Sequence, residues 1–375
     1  MVRLFFSPHQ FPVTHSMVHH SMALNWTMVL LWRGGIPVTE EYQDLSALAQ
    51  EEQEVLEQYP YKVIGTKRRG RGWRLETDRG PKGLYCYHAP DRDRIFAIHH
   101  ALEQLASKGF RHTSRNIRTR QGEPFVRKGD YYYTLVDWYN YPRIDFRQDR
   151  DLQIATRNLA MLHRLGQVRE RQEKVDQRLG KKSLEKRNQE LKGYRQRLDN
   201  KSQYSPFDEL FLEHAERMEQ KSTTAMEKLI NNNIDQLFVE SAERGTVCHR
   251  NWTERNLRIS PDNNLAIIGW DNCGTDVPIA EFSGFIRYVI DRRDNWDVDS
   301  AKQILSTYEE IRPLENREKS ALLALLAFPH KFWKTVASHY RGGKDLESSI
   351  NTLKQVFAEE QKQERFVNTL QEELG

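Results

Sequence analysis

His249-Arg-Asn251-Trp-Thr-Glu-Arg-Asn256 and, further on, Ile267-Ile-Gly269-Trp270-Asp271 hold the side chains of this sequence best spaced for chemistry. Phosphoryl transfer asks for a carboxylate near the attacking hydroxyl and an Asn five residues later to hold Mg²⁺. It also asks for a second carboxylate at the end of the next hairpin strand, to bridge metal and phosphates. Asn256 has the Asn spacing relative to residue 251, but residue 251 is itself Asn. Asn is nearly isosteric with Asp and still orients a hydroxyl, yet it cannot take a proton or carry charge. General-base catalysis contributes about 10²- to 10⁴-fold, so this change alone cripples turnover rather than abolishing it. Asp271 is the acid of the second segment. Residues i and i+2 of a strand share a face, so an extended 269–271 would send Asp271 to the side that Gly269 leaves open, where with Asn256 it could hold a metal weakly. The alternative is that Asp271 caps the following turn or pairs with an arginine such as Arg255. His249 is read as a structural residue making backbone hydrogen bonds.

A second candidate is Lys67-Arg-Arg-Gly-Arg-Gly72, whose backbone and four cations suit an anion. It lacks GxGxxG spacing, and a solvated basic hairpin tip is an equal reading. The histidines fall in no HExxH or other metal-ligand spacing, and neither GxSxG nor a P-loop occurs. Cys86, Cys248 and Cys273 are odd in number and form no CxxC, which fits the reduced thiols of a cytoplasmic protein rather than a disulfide framework or zinc site. Met28-Val-Leu-Leu-Trp32 is far shorter than the ~20 residues of a membrane span and lacks a signal-peptide cleavage site, so neither export nor anchoring is expected.

The elements that must position these residues are legible in part. Glu40 to Tyr59 patterns as an amphipathic helix through Leu45, Leu48, Val55 and Leu56. Short strands are expected at Tyr61–Ile64, Trp73–Thr77 and Gly83–Tyr87, with a turn at Asp78-Arg-Gly80. A helix over Phe96–Lys108 closes at Gly109. Tyr131–Tyr139 is an aromatic strand, and Asp149–Leu165 a helix with Leu152, Thr156, Leu159 and Leu162 on one face. Between Gly166 and Lys201 twelve Lys/Arg face six Asp/Glu, with Val168, Val175, Leu184, Leu191 and Leu198 largely at sevenfold steps. This reads as a long charged helix or hairpin broken near Gly180, either solvated or presenting a partner-binding face; sparse aromatics argue against nucleic acid. Helices come next over 207–237, 301–309, 315–340 and 345–374. The order is that of a sheet-based lobe followed by a helical lobe, and pattern alone leaves an unrelated α+β domain open.

At 375 residues the chain is long enough for two lobes, each with its own core. A 29% charged content is offset by 38% hydrophobic residues and 10% aromatics, which argue against overall disorder. The formal charge of +4 is too mild to announce nucleic-acid binding, so any basic surface must be local.

Tyr132-Tyr-Thr-Leu-Val-Asp137-Trp138, Leu159-Ala-Met-Leu-His163, the 249–256 loop, Gly269-Trp-Asp271 and Thr275-Asp276-Val-Pro278-Ile resemble, in order and spacing, the CotS family of bacterial spore-coat proteins. That family lies within the aminoglycoside-phosphotransferase and choline-kinase-like superfamily. The resemblance covers roughly residues 60 to 345. The hinge stretch resembles the family's V-x-x-W-I-E-G, Asp276-Val-Pro-Ile279 its D-L-P-I-R-D with Glu281 in the last acidic place, and Leu179-Gly180-Lys181 its L-G-R/K element. Position by position, the resemblance sets Asn251 at the catalytic Asp, Asn256 at the metal-binding Asn, Gly269 at the metal-binding Asp and Asp271 at the acid two residues later. A missing carboxylate at 269 removes a metal ligand and leaves phosphate charge uncompensated. The strand Lys of the superfamily should fall near Leu84 to His88, where none occurs; Lys82 lies just outside. Glu103 is either the helix partner of that Lys or a surface acid.

The resemblance implies an α+β, bilobal, protein-kinase-like fold with a small antiparallel-sheet N-lobe over 38–140. A mostly helical C-lobe over 141–345 includes the charged arm 166–201, and a C-terminal helix spans 346–375. It further implies a spore-coat protein, made in the mother-cell cytoplasm and retained through other coat proteins as a structural or interaction module, while Asn251, Gly269 and the absent strand Lys make it a degenerate pseudokinase with no cofactor. The rival is a working ATP- and Mg²⁺-dependent small-molecule phosphotransferase in which Asp271 serves the metal. Residues 1–37 read as a non-native or disordered leader. Trp32-Arg-Gly-Gly35 can be encoded as a ribosome-binding sequence just upstream of a GTG start at Val38, which an intact mass of native protein beginning at Met1 would refute.

Overall fold

The computed structural model describes residues 26–33, 36–88, 92–168, 180–293, 296–342 and 345–374, with 26–42 described by their backbone. The expected leader therefore lies largely outside the described residues. Its described part pairs as β1 (Trp26–Arg33) with β2 (Ile36–Gln43). Five further strands, β3 (Val63–Arg69), β4 (Gly72–Thr77), β5 (Lys82–His88), β6 (Val126–Lys128) and β7 (Tyr131–Asp137), complete an antiparallel sheet in the order β1-β2-β3-β4-β5-β7-β6. Gly70, at φ +56°, makes the turn between β3 and β4; only glycine takes that backbone without steric cost.

The helix expected over 40–59 is much shorter. The chain is still extended in β2, and Asp44 then caps a 3₁₀ turn over Leu45–Ala47 by accepting from the Ser46 N–H at 2.9 Å. The helix α1 spans only Gln50–Leu56. An Asx cap offers the backbone a partner outside the helix, so the apolar pattern spreads over a strand end, a turn and a helix. Leu48, Val55, Leu56 and Tyr59 nevertheless pack on Leu75, Leu84, Tyr133 and Leu135 as the sheet's core. The helix α2 (Arg92–Ser107) instead sends Ala101, Leu102 and Leu105 into the core of the second lobe and ties the two together.

That lobe is mostly helical. Its helix α3 (Asp149–Leu165) opens on Asp149 and Asp151 and closes on His163 and Arg164, both favourable to the helix dipole, and buries Leu152, Ala155, Leu159 and Leu162. Next come α4 (Lys181–Asp199), α5 (Pro206–Asn231) and α6 (Ile234–Arg244). Ser205 and Asp208 form a capping box at the start of α5, with Pro206 in its first turn. Four short strands carry the site: β8 (Val247–Cys248) pairs with β11 (Gly274–Thr275), and β9 (Leu257–Ile259) with β10 (Leu265–Ile267). The remaining helices are α7 (Pro278–Arg293), α8 (Val298–Glu309), α9 (Asn316–Ala327), α10 (His330–Tyr340) and α11 (Leu346–Leu374).

The sequence left the charged arm open between a solvated helix and a partner-binding face. Residues 169–179 lie outside the described residues, but α4 is not solvated all round. Leu184, Leu191 and Leu198, the members of the sevenfold series inside α4, are buried. Leu191, Tyr194 and Leu198 join Phe207, Phe211 and Met218 of α5, Phe332 and Val336 of α10 and Leu353 of α11 in a second hydrophobic cluster. The apolar face seeks a partner and finds it in the same chain. Both clusters need α11, which gives Leu353 to this one and Phe366 and Leu370 to the main one. No helix among the described residues is long and apolar enough to cross a membrane.

Candidate functional site

The short ladder between β8 and β11, with Cys248 opposite Gly274, sets the start of the 249–256 loop. Glu281, in the first turn of α7, fixes the first two residues of that loop. Its carboxylate accepts the backbone N–H of His249 at 3.0 Å, that of Arg250, and the Nε2–H of His163 from α3 at 3.0 Å. Tyr308 completes the chain of bonds by donating its hydroxyl to His163 Nδ1 at 2.7 Å. Burial raises the Glu281 carboxyl, but the hydrogen bond and charge of His163, then His249 and the Arg250 N–H, outweigh it and hold it below its ordinary value. Burial lowers His163 below its ordinary value, with the hydrogen bond and charge of Glu281 opposing it. His163, Cys248 and Glu281 present three potential metal-ligand atoms within 4.8 Å of one another. Both imidazole nitrogens and the carboxylate are already committed, however, and burial pushes the Cys248 thiol well up. The group is a brace for the loop.

His249 makes the backbone bonds anticipated for it. Its Nε2–H donates to the Ile268 carbonyl at 2.9 Å and its Nδ1 accepts the Asn251 N–H at 3.2 Å. Arg250 takes φ +61° and folds its guanidinium back onto Asp276 at 3.1 Å and the Thr275 carbonyl at 2.6 Å. Glu254 anchors the loop's far end, accepting from the Phe146 N–H at 2.8 Å and pairing with Arg292 at 2.7 Å.

Asn256 turns its amide N–H inward to the Asn251 carbonyl at 2.9 Å. Its carbonyl oxygen then faces Gly269, where an added Cβ would lie 2.5 Å away. Gly269 itself has φ +74° and caps a 3₁₀ turn over Trp270–Asn272. The extended geometry expected for 269–271 is therefore absent: the β10 strand ends at Ile267, and the chain turns before Asp271. Asp271 neither pairs with Arg255 nor shares a face with residue 269; it accepts the Tyr87 hydroxyl of β5 at 2.8 Å, across the space between the lobes. Burial and then the Asp271 charge raise the Tyr87 hydroxyl above its ordinary value.

A cleft of about 950 Å³ opens here, and Asn256, Gly269 and Asp271 line it together. Asn251 is not among its lining residues. Lys82 points elsewhere, to Asp137 at 2.9 Å and to the Tyr61 ring. Glu103 pairs with Arg115 at 3.1 Å rather than with a strand lysine. At the tip of the basic hairpin, Arg69 and Arg71 reach the cleft, while Arg68 lies over the Trp73 ring. Sequence reasoning missed Tyr85 and Tyr87, which occupy the strand where a lysine was sought, and Arg143 and Arg258. The period-2 alternation of β5, with Leu84 buried, was the signal that could have found the tyrosines.

The set of ligands does not fit a catalytic Mg²⁺. One metal position has no side chain, the Asn256 oxygen points at that glycine, and Asp271 already accepts a hydroxyl.

Comparison with known proteins places this geometry. Residues 52–370 match the family model described as spore coat putative kinase YutH. Spore coat protein S of Bacillus subtilis (strain 168) is 25% identical over 332 residues, which is 85% of this chain and 93% of that protein. The endospore coat-associated protein YutH of the same organism is 25% identical over 283 residues, 73% of this chain and 79% of that one. Among solved structures, an aminoglycoside phosphotransferase from Alicyclobacillus acidocaldarius superposes with a TM-score of 0.77 at 18% identity, covering 86% of this chain and 96% of that one. The spectinomycin phosphotransferase APH(9)-Ia gives 0.58 at 12% identity, covering 84% and 99%. The fold is thus the aminoglycoside-phosphotransferase-like kinase fold, as the sequence resemblance implied.

Proposed function

The chain belongs to the spore coat putative kinase YutH family, and from that membership we propose that it serves the endospore coat as a kinase-folded binding module without phosphoryl turnover. It is made in the mother-cell cytoplasm and held in the coat by other coat proteins. The observation that carries the loss of turnover is Gly269. It supplies no carboxylate, and a side chain there would need a left-handed backbone and would displace the Asn256 amide, whose oxygen lies 2.5 Å from the would-be Cβ. Asn251 adds to it, because an amide cannot accept a proton.

The deciding assay measures ATP consumption by the purified full chain with and without Mg²⁺. No Mg²⁺-dependent consumption above background is expected. Mg²⁺-dependent consumption that disappears in Asp271→Ala would instead establish a small-molecule phosphotransferase with Asp271 on the metal.

The coat-binding half is tested separately. Lys182, Lys186 and Lys192 are exposed on α4, and reversing them to Glu leaves its buried face alone. Loss of coat localisation in that triple variant supports α4 as a coat contact; unchanged localisation removes α4 from the proposal.

A further inference from the structure

Six arginines line the cleft: Arg69, Arg71, Arg74, Arg94, Arg143 and Arg258. Against them stand two acids, Asp137 and Asp271, of which the first pairs with Lys82 at 2.9 Å and the second holds the Tyr87 hydroxyl at 2.8 Å. Arg74 pairs with Glu76 at 2.8 Å while its guanidinium is only 3% exposed. For Arg71, Arg94, Arg143 and Arg258, no carboxylate among the described residues lies within ion-pair distance. A kinase cleft normally meets phosphate charge with a metal, and the metal with carboxylates. This cleft has inverted that balance.

Arg258 is the best-defined of the four. Its Nη1 donates to the carbonyls of Arg255 and Leu257, both at 3.0 Å, so the 3₁₀ turn over Glu254–Asn256 and the start of β9 fix the guanidinium in place. The other guanidinium nitrogens have no partner among the described residues. Arg258 and Arg143 sit opposite one another in an isolated antiparallel bridge. Burial and then the Arg143 charge lower the Arg258 pKa, with Tyr85 opposing them in part, the mark of a cation set beside a like charge. Guanidinium groups so placed match the oxygens of phosphate.

We propose that the cleft is a phosphoanion site that works without a divalent cation, with Arg258 and Arg143 supplying the positive charge that its metal positions lack. This rests on the proposed loss of turnover, since a catalytic metal would compete for the same oxygens. The phosphates arrive either on a nucleotide or as a free polyphosphate.

The test is calorimetric titration of the full chain with ATP and with tripolyphosphate, each in EDTA and in excess Mg²⁺, at two salt concentrations. Binding should be at least as tight in EDTA as in Mg²⁺ and should weaken with salt. Each of Arg258→Gln and Arg143→Gln should weaken it about tenfold or more, the scale of one charged hydrogen bond. Arg127→Gln, outside the cleft, should not. Because Arg258 also supports a turn, the exposed Arg143 keeps the test clean of folding defects. Binding of ATP alone identifies a nucleotide, and equal binding of tripolyphosphate identifies a free polyphosphate; either supports the site. Binding that needs Mg²⁺ and comes with ADP formation overturns both this inference and the proposed function. No binding of either anion, or binding unaltered by both cleft variants, overturns this inference alone.

Discussion

The obvious repair, Gly269→Asp, places a Cβ 2.5 Å from the Asn256 oxygen on a backbone at φ +74°. We expect it to restore no Mg²⁺-dependent turnover. Steric conflict in a packed site costs about 1–3 kcal/mol, and the left-handed backbone roughly 1 kcal/mol more. Gly269→Ala carries the same Cβ without the charge and should lose a similar amount in urea unfolding. An Asp variant that hydrolyses ATP, or an Ala variant as stable as the parent, would show that Asn256 yields easily and that the glycine is incidental. The same residue explains why the site was only partly legible. Residue types at 251, 256, 269 and 271 can be read from the chain, but the sign of φ at 269 and the facing of the Asn256 amide belong to the folded loop. An i, i+2 rule for strands fails where β10 has already ended.

At the scale of elements, α4 offers the sharpest contrast between pattern and structure. A solvated charged helix would tolerate Leu191→Ala within about 0.5 kcal/mol. Leu191 is fully buried against α5 and α10, so we expect a loss of about 2–5 kcal/mol, read as a lower midpoint in urea at unchanged slope; a midpoint within error of the parent would return α4 to solvent. The sequence located this helix and its sevenfold leucines but not the partner, because charge on one face says nothing of what covers the other. Helices such as α3, where polar ends and an apolar face agree, were readable to the residue. The strand β4 was readable because Trp73-Arg-Leu-Glu76 alternates apolar and polar residues between glycine-marked turns. The span 40–59 was not, because an Asx cap at Asp44 overrode an apolar periodicity that the sheet core still uses. Arg143 and Arg258 illustrate the opposite limit. They lie far apart in sequence and meet through a single bridge pair, which no local pattern reports.

Across the whole molecule, buried and half-buried histidines set the response to acid. Burial lowers His99, His163, His214, His249, His330 and His339 below the ordinary 6.5. A base whose folded pKa is depressed binds fewer protons folded than unfolded, so its contribution to stability is full above the unfolded value and is lost as pH falls below it. We expect a melting temperature that is level between about pH 7 and 8 and drops from about pH 6.5 downward, before carboxylates titrate; a level profile to about pH 5 would mean these imidazoles protonate in place. The C-terminal helix has a consequence of a different kind. Since α11 contributes Leu353 to one hydrophobic cluster and Phe366 and Leu370 to the other, neither can close during synthesis until those residues have left the ribosome. The helical lobe therefore waits, its apolar faces bare, for nearly its full translation, and the nascent chain depends on whatever shields such surfaces in the cell.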